Sequence, residues 1–273
     1  MTAVSASGVE RIAEAFASAR AEGRAAALMP YLMGGYPDLE TSRAVGLAYA
    51  AAGADLIELG VPFSDPLADG PVIHAAATAA LRAGATLPAV LEVGSSISEQ
   101  VPVVVMCYVN PILARGVQRF VDQLAVASIS GLIVPDLPLE ESSGLRAACA
   151  ARGLALVPLA APTTPPDRLE RIGAQASGFL YTVSVTGTTG ERTDLDDGLR
   201  AILARAAAHT SVPVAVGFGI STPSQASAAA AAGADGVIVG TRLVRAVAES
   251  DDPPHAAGQL VRELAAALSR APA

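Results

Sequence analysis

The sequence alternates short, strongly apolar runs with alanine-rich stretches, and this alternation limits the folds that it can adopt. Eight runs are rich in β-branched or large apolar residues, and they span residues 27–33, 55–61, 102–108, 131–136, 154–160, 178–184, 213–219 and 236–240. Most of them lack polar residues at alternate positions. This pattern predicts strands that are buried on both faces, as in a parallel sheet.

Candidate helices lie between and after these runs. They cover residues 39–52, 71–98, 115–128, 139–152, 165–175, 194–208, 222–232 and 254–270. Parallel strands require such crossovers. Eight strand–helix units in 273 residues favour an α/β fold, a single (β/α)8 or TIM barrel, which we predict to carry an extra N-terminal helix. An open doubly wound sheet is the alternative, because periodicity does not establish closure. No linker-like break in composition appears, so we predict one domain over residues 1–273.

The charge balance and the absence of lysine narrow the possible functions. The formal net charge of −8 argues against binding to nucleic acid or to an anionic membrane surface. All 18 basic residues are arginines, so no lysine can form a Schiff base or hold PLP in this chain. The three histidines form no metal-binding pattern, and we therefore expect no metal site.

The two cysteines and the apolar segments indicate where the protein works. Cys107 and Cys149 lie in apolar or helical contexts without CxxC spacing, which predicts buried free thiols in a reducing compartment. The N-terminus has no apolar signal-peptide core, and the most apolar run, residues 101–114, is shorter than a membrane span. We expect a cytoplasmic protein without a membrane segment.

Carboxylates cluster after the second apolar run, where a barrel would place its active site. Glu58 lies near the end of that run, and a proline-rich loop with Asp65 and Asp69 follows. A glutamate sequestered from water has a raised pKa, which suits acid–base catalysis. The sequence leaves open whether Glu58 faces the barrel interior or the helices, and whether an arginine pairs with it. Asp65 and Asp69 also suit turns and helix caps.

Glycine-rich segments follow the last three runs. Gly217, Gly219, Gly240 and Thr241 come after two adjacent strands, and Gly190 follows the strand before them. Backbone N–H groups in such loops and at helix N-termini bind phosphate, although each glycine alone also suits a tight turn. Together with the carboxylates, these segments predict acid–base chemistry on a phosphorylated small molecule.

Seven motifs follow one another along the chain: PYLMGGYPD (30–38), ELGVPFSDPLADGPVI (58–73), YVN (108–110), GLIVPDLPLEE (131–141), YTVSVTGTTG (181–190), GFGIS (217–221) and VGT (239–241). In their sequences, order and strand positions, they resemble the alpha subunit family of tryptophan synthase. The resemblance covers nearly the whole chain, and the motif at 58–73 is its most specific element. Tyr36, His74 and Thr241 depart from the common family pattern, but no proposed catalytic position is lost.

The resemblance implies an activity and a set of site residues. The family cleaves indole-3-glycerol phosphate to indole and glyceraldehyde 3-phosphate. By motif, Glu58 is the acid–base residue, Asp69 binds the indole N–H and Tyr181 lies beside the substrate. The implied phosphate-binding residues are Gly190, Gly219, Gly240 and Thr241, and the residues implied to pack near the indole are Tyr31, Ile73, Met106 and Phe218.

The resemblance also implies a partner, a tryptophan synthase beta subunit that holds PLP within an α2β2 heterotetramer. This chain would hold no cofactor of its own. The loops at 62–71 and 185–197 would close over the substrate, and Asp65 and Asn110 would belong to the interface. The rival hypotheses are another barrel enzyme that acts on a phosphorylated sugar, such as an isomerase or epimerase, and an inactive barrel that only activates a PLP enzyme.

Overall fold

The structure is a computed structural model that describes residues 6–183, 197–217 and 219–269, and a ring of parallel strands forms its centre. The strands are β1 Ala27–Met33, β2 Ile57–Gly60, β3 Val103–Met106, β4 Gly131–Ile133, β5 Ala155–Val157, β6 Leu159–Ala160, β7 Leu180–Val183, β8 Val214–Gly217 and β9 Gly236–Val239. Each lies within one of the eight predicted runs. The first and last strands pair with each other, since β1 is hydrogen-bonded to both β2 and β9.

The fifth predicted run contains two short strands instead of one. β5 pairs with β4, and β6 pairs with β7. Pro158 separates them because it has no N–H group to donate to a ladder, while its carbonyl accepts a hydrogen bond of 3.0 Å from the Tyr181 N–H. The strand order therefore begins at β5 and ends at β6, which are consecutive parts of the same chain segment, so this segment closes the barrel. The (β/α)8 barrel is confirmed over the open sheet.

Helices surround this ring. They are α1 Gly8–Ala21, α2 Leu39–Ala51, α3 Pro71–Arg82, α4 Leu87–Ser98, α5 Val109–Arg115, α6 Val117–Val126, α7 Ser143–Ala151, α8 Pro166–Gly173, α9 Asp197–Ala208, α10 Pro223–Ala231, α11 Thr241–Ala248 and α12 Pro253–Leu268, with a 3-10 turn at Leu139–Glu141. In the described parts of the chain, no helix combines the length and the apolarity that crossing a bilayer requires.

The helix predicted over 71–98 is two helices in the structure. Gly84 adopts a φ of +88°, a conformation that favours glycine and ends α3. Thr86 then caps α4 by accepting a hydrogen bond from the Ala89 N–H. The sequence reading also lacked α5 and α11, which follow β3 and β9 directly and are too short to show a clear helical period.

The predicted N-terminal helix closes one end of the barrel. Ile12, Phe16 and Ala19 of α1 are buried in the same apolar cluster as interior strand residues such as Met29 and Leu56. These side chains recur at spacings of three and four residues, so they share one face of the helix. The strand ends at the opposite side of the barrel are left for the site.

The repeated sequence AAGAD, at 51–55 and 231–235, has a structural role at this closed end. Asp55 accepts hydrogen bonds from the Leu28 N–H at 2.7 Å and from Arg24 at 2.9 Å. Asp235 accepts from the Val214 N–H at 3.0 Å and from Arg20 at 2.9 Å. Each aspartate thus links the start of a neighbouring strand to an arginine at or just beyond the end of α1.

Candidate active site

Glu58 faces the barrel interior, which settles the alternative that its sequence position left open. In the strand ladders, Glu58 lies between Tyr31 of β1 and Val104 of β3. Val104 and Leu56, the residue two positions before Glu58, both belong to the interior apolar cluster. Because side chains two apart in a strand share a face, the Glu58 carboxylate points into the barrel.

No arginine pairs with Glu58 in the part of the chain that the structure describes. The side chain is only 1% exposed, and neither carboxylate oxygen has a hydrogen-bond partner among the described residues. Burial, with a smaller contribution from the negative charge of Asp69, raises the pKa of Glu58 from 4.5 to about 8. A carboxyl group in this state holds its proton near neutral pH and can both donate and accept it.

Two tyrosines lie beside Glu58, and each covers a glycine on the next strand. A Cβ atom on Gly60 would lie 2.0 Å from the Tyr31 hydroxyl, and one on Gly217 would lie 2.2 Å from the Tyr181 hydroxyl. Burial raises the pKa of both tyrosines well above its ordinary value, and the charge of Glu58 adds to both shifts. Gly217, which the sequence suggested for phosphate binding, therefore serves to admit Tyr181.

Asp69 is held at the barrel mouth by Tyr108, a residue that is not among the site residues predicted from the sequence. The Tyr108 hydroxyl accepts a hydrogen bond of 3.0 Å from the Ala68 N–H and hydrogen-bonds to the Asp69 carboxylate. Partial burial raises the pKa of Asp69, whereas this hydrogen bond and the charge of His74 lower it. The available signal was YVN, which places Tyr108 directly after a strand that neighbours Glu58.

A cavity of ≈510 Å³ opens beside Asp69. Met106, at the end of β3, lines it together with the apolar side chains of Val157, Leu159 and Val183. The family resemblance implies that Met106 packs near the indole, whereas the sequence assigned the other three residues only to strands. Glu58 lies two ladder positions deeper than Met106.

Tyr31 and Ile73 belong to the apolar side of the mouth. Both contact a small cluster that includes Met33 and Val244, and Met106 packs against the same cluster. This places an apolar surface next to the Glu58 ladder position. Such a surface suits a flat aromatic ring, which is excluded from water when it binds.

The glycine-rich strand ends lie on the β8–β9 side of the mouth. Gly219 has a φ of +83°, which favours glycine. Gly240 precedes α11, and Thr241 is the first residue of that helix, whose N-terminus has no side-chain cap. The N-terminus of a short helix after the last strand is where barrels commonly bind phosphate, because its N–H groups have no intrahelical partners.

Of the remaining residues that the sequence singled out, some lie outside the described parts of the chain and the others lie around the mouth or on the surface. Gly190 and Phe218, and most of the predicted lid at 185–197, lie outside the residues that the structure describes. Asp65 and Asn110 are exposed, as an interface role requires. Tyr36 packs against the Tyr31 cluster and His74 is exposed near Asp69.

Comparison with known proteins gives one consistent result. The model of the tryptophan synthase alpha chain family matches residues 16–271. The tryptophan synthase alpha chain of Synechococcus elongatus is 49% identical over 263 residues, which are 96% of this chain and 98% of that one. The alpha chain of Gloeobacter violaceus is 49% identical over 252 residues, covering 92% and 91% of the two chains.

Solved structures agree with these relatives. A chain of Mycobacterium tuberculosis tryptophan synthase superimposes with a TM-score of 0.89 at 40% identity, covering 97% of this chain and all of that one. A chain of the tryptophan synthase α2β2 complex of Pyrococcus furiosus superimposes with a TM-score of 0.83 at 34% identity, covering 89% and 98%.

Proposed function

The chain belongs to the tryptophan synthase alpha chain family, the lyases that cleave indole-3-glycerol phosphate, and we propose that Glu58 and Asp69 carry out this cleavage here. The observation that carries the proposal is the state of Glu58. It is a buried carboxyl group without a hydrogen-bond partner among the described residues, inside the barrel and with a pKa of about 8. A glutamate that served only the fold would have donors around it.

Cleavage of a carbon–carbon bond needs a group that accepts the bonding electrons, and the indole ring can become that group. Glu58, as the carboxylic acid, donates its proton to ring carbon C3. The ring becomes an indolenine whose positive charge lies on the nitrogen, and the Asp69 carboxylate stabilises that charge through the N–H. Neither a Schiff base nor a metal ion is required for this step.

The second half of the reaction returns the proton. The Glu58 carboxylate takes the proton of the hydroxyl group on the carbon attached to C3. The bond between that carbon and C3 breaks, its electron pair restores the aromatic indole, and the hydroxyl carbon becomes the aldehyde of glyceraldehyde 3-phosphate. Glu58 is protonated again at the end, so one carboxyl group serves as both acid and base.

We assign the remaining contacts by the family motifs. Tyr31, Ile73 and Met106 would contact the indole ring, and Tyr181 would lie beside the reacting carbons. The phosphate would bind to backbone N–H groups of Gly219, Gly240 and Thr241. Gly190 and Phe218 are proposed from their motifs alone.

The test is indole release by the purified chain. We expect Glu58→Gln to lower the turnover of indole-3-glycerol phosphate by about 10²- to 10⁴-fold, the range for loss of a general acid–base group. Glu92→Gln, the same change on the exposed face of α4, should have no effect. Indolepropanol phosphate, which lacks the hydroxyl groups, should bind to both variants, and near-normal turnover by Glu58→Gln would reject the assignment.

We further propose that the chain works in the cytoplasm with a beta subunit that supplies PLP, as the α2β2 assembly of the Pyrococcus furiosus relative suggests. The 62–71 loop supports this, because Leu67 is 85% exposed next to the exposed Asp65. Covering an exposed apolar side chain with a partner removes it from water, which favours association. Added beta subunit should change the rate of indole release, and Leu67→Ser should reduce that effect by more than it changes the rate of the chain alone.

A further inference from the structure

The cavity beside Asp69 continues outward between two strands. The ladder between β4 and β5 ends at Ile133 and Val157, and among the described residues the segment after Val157 pairs with β7 instead. Val134 lines the cavity on one side of this opening, and Pro158 lines it on the other. The cavity therefore extends from the barrel mouth to the layer of helices.

The part of the cavity next to the helices, here called the outer arm, is apolar apart from a few polar side chains. Its apolar lining comes from the loops and strands around the opening and from α8. Its polar lining comes from α7 itself, from the residue that precedes α7 and from a residue just after α8. The outer arm is lined by Leu137, Leu156, Ile172, Ser142, Arg146 and Gln175. Its chemistry differs from that of the mouth, where the charged lining residue is Asp69.

Arg146 is half-buried in the outer arm and has neutral partners. Its Nη1 atom donates to the Ser142 hydroxyl at 3.4 Å and to the Gln175 side-chain oxygen. The N–H groups of Nη2 and Nε have no acceptor among the residues described, and no carboxylate there lies within 4.0 Å of the guanidinium. One edge of the guanidinium thus remains available for a second planar group.

Arg168 shows how a paired arginine differs. It also lines the cavity, but both of its terminal nitrogens donate to the Glu140 carboxylate, at 2.9 and 3.0 Å. The Glu140 charge therefore already compensates Arg168. Of the two arginines that line the cavity, Arg146 is the one whose charge no described carboxylate balances.

We propose that the outer arm binds a small organic carboxylate, separately from the substrate at the barrel mouth. A guanidinium edge binds a carboxylate through two parallel hydrogen bonds. A single unpaired guanidinium in apolar surroundings matches a monoanion with an apolar body better than a phosphate dianion, which needs more donors. The carboxylate group of the ligand binds to Arg146. The apolar part of the ligand points away from the guanidinium and lies against Leu156 and Ile172. The cavity volume lies within the usual range of small-molecule sites, about 300–1,000 Å³.

Calorimetry on the full chain with phenylacetate and its neutral isostere phenylacetamide tests the proposal. Phenylacetate should bind, and phenylacetamide should bind at least about tenfold more weakly, because it lacks the charge-assisted hydrogen bonds. Arg146→Met should weaken phenylacetate binding at least about tenfold, with Arg146→Lys, which keeps the charge but not the planar edge, in between. Arg168→Met is the matched control and should change the affinity by less than about twofold.

Several results would overturn the proposal. They are no detectable binding of phenylacetate, equal binding of the acid and the amide, unchanged binding by Arg146→Met, or displacement of phenylacetate by inorganic phosphate, which would place the anion at the mouth. Thermal melting of each variant identifies one that fails to fold, and a crystal of the unsubstituted chain with phenylacetate then decides by the position of the carboxylate. The readout is heat of binding and not indole release, so it is independent of the catalytic assignment.

Discussion

Glu58 shows at the scale of one residue how a protein can tune a carboxyl group without a specific partner. Its oxygens lack hydrogen-bond donors among the described residues, and the charge that acts on it most directly is that of another carboxylate, Asp69. Burial and this negative charge both disfavour the ionised form. Glu58 therefore holds its proton at neutral pH. In the proposed reaction it can then act first as the acid and, once it has given up this proton, as the base.

The pH dependence of catalysis follows from this state. Because the proposed reaction starts with protonated Glu58, kcat/KM should fall as pH rises through about 8, the pKa of that group in the free protein. Initial rates of indole release between pH 6 and 10 measure this. A kcat/KM that instead rises through pH 8 would mean that the ionised form starts the reaction.

Tyr108 should act through Asp69. Its hydrogen bond lowers the pKa of Asp69, so Tyr108→Phe should raise that pKa and move the acid limb of the kcat/KM profile to higher pH. The loss of one such bond should also lower kcat/KM by about tenfold near neutral pH. Tyr49→Phe, which removes a buried hydroxyl on α2, is the control and should leave the profile in place. If Tyr108→Phe lowers the rate without moving the acid limb, Tyr108 does not set the charge state of Asp69.

At the scale of elements, the site depends on the space that one strand leaves for the side chains of its neighbour. Gly60 on β2 and Gly217 on β8 leave the space that Tyr31 and Tyr181 occupy. The same pairing of a glycine with a tyrosine on the preceding strand occurs on two sides of the barrel, and it places both tyrosines next to Glu58. An added methyl group would have to displace a ring that is packed in the interior, where there is little free volume.

Gly217→Ala tests this arrangement. The new Cβ would lie 2.2 Å from the Tyr181 hydroxyl, so the ring must move, and we expect a loss of about 1–3 kcal/mol in the free energy of unfolding with a fall in kcat/KM. Gly144→Ala is the matched control, because nothing lies within 4 Å of a Cβ there. In α7 it should stabilise the protein by up to about 1 kcal/mol. Urea unfolding of both variants measures the two effects, and an equally stable Gly217→Ala would contradict the packing argument.

Sequence patterns predicted the strands better than the helices, for a physical reason. A strand buried on both faces needs a continuous apolar run, which is visible in one stretch such as 102–108. A helix boundary depends on single residues instead. Gly84 and Thr86 divide one alanine-rich stretch into α3 and α4, and alanine continues the helical pattern across the break. Pro158 divides a strand in the same local way.

At the scale of the whole molecule, the positions of Glu58 and Asp69 were predictable because a barrel gathers strand ends in one place. Their environment was not. The sequence does not reveal that Tyr108 holds the Asp69 loop, since residues 40 apart meet only after folding. The outer arm with Arg146 also required coordinates, because it exists only where two strands separate in the assembled barrel.

The buried carboxyl group should also set how the stability of the whole molecule depends on pH. Glu58 has a pKa of about 8 in the folded protein and 4.5 when solvated, so between these values the folded state holds a proton that the unfolded state has released. The free energy of unfolding must therefore decrease as pH rises from about 4.5 to about 8, by up to ~5 kcal/mol from this group alone.

Glu58→Gln should remove this contribution, since glutamine does not ionise. We expect the variant to gain stability over the unsubstituted protein with rising pH, so that the difference in melting temperature is larger at pH 9 than at pH 5 while indole release is lost. Glu92→Gln on the exposed face of α4 should show no such trend. A difference independent of pH would mean that Glu58 already ionises at low pH in the folded protein. A gain in stability with a loss of turnover would instead identify Glu58 as a residue that costs the fold free energy for the sake of catalysis.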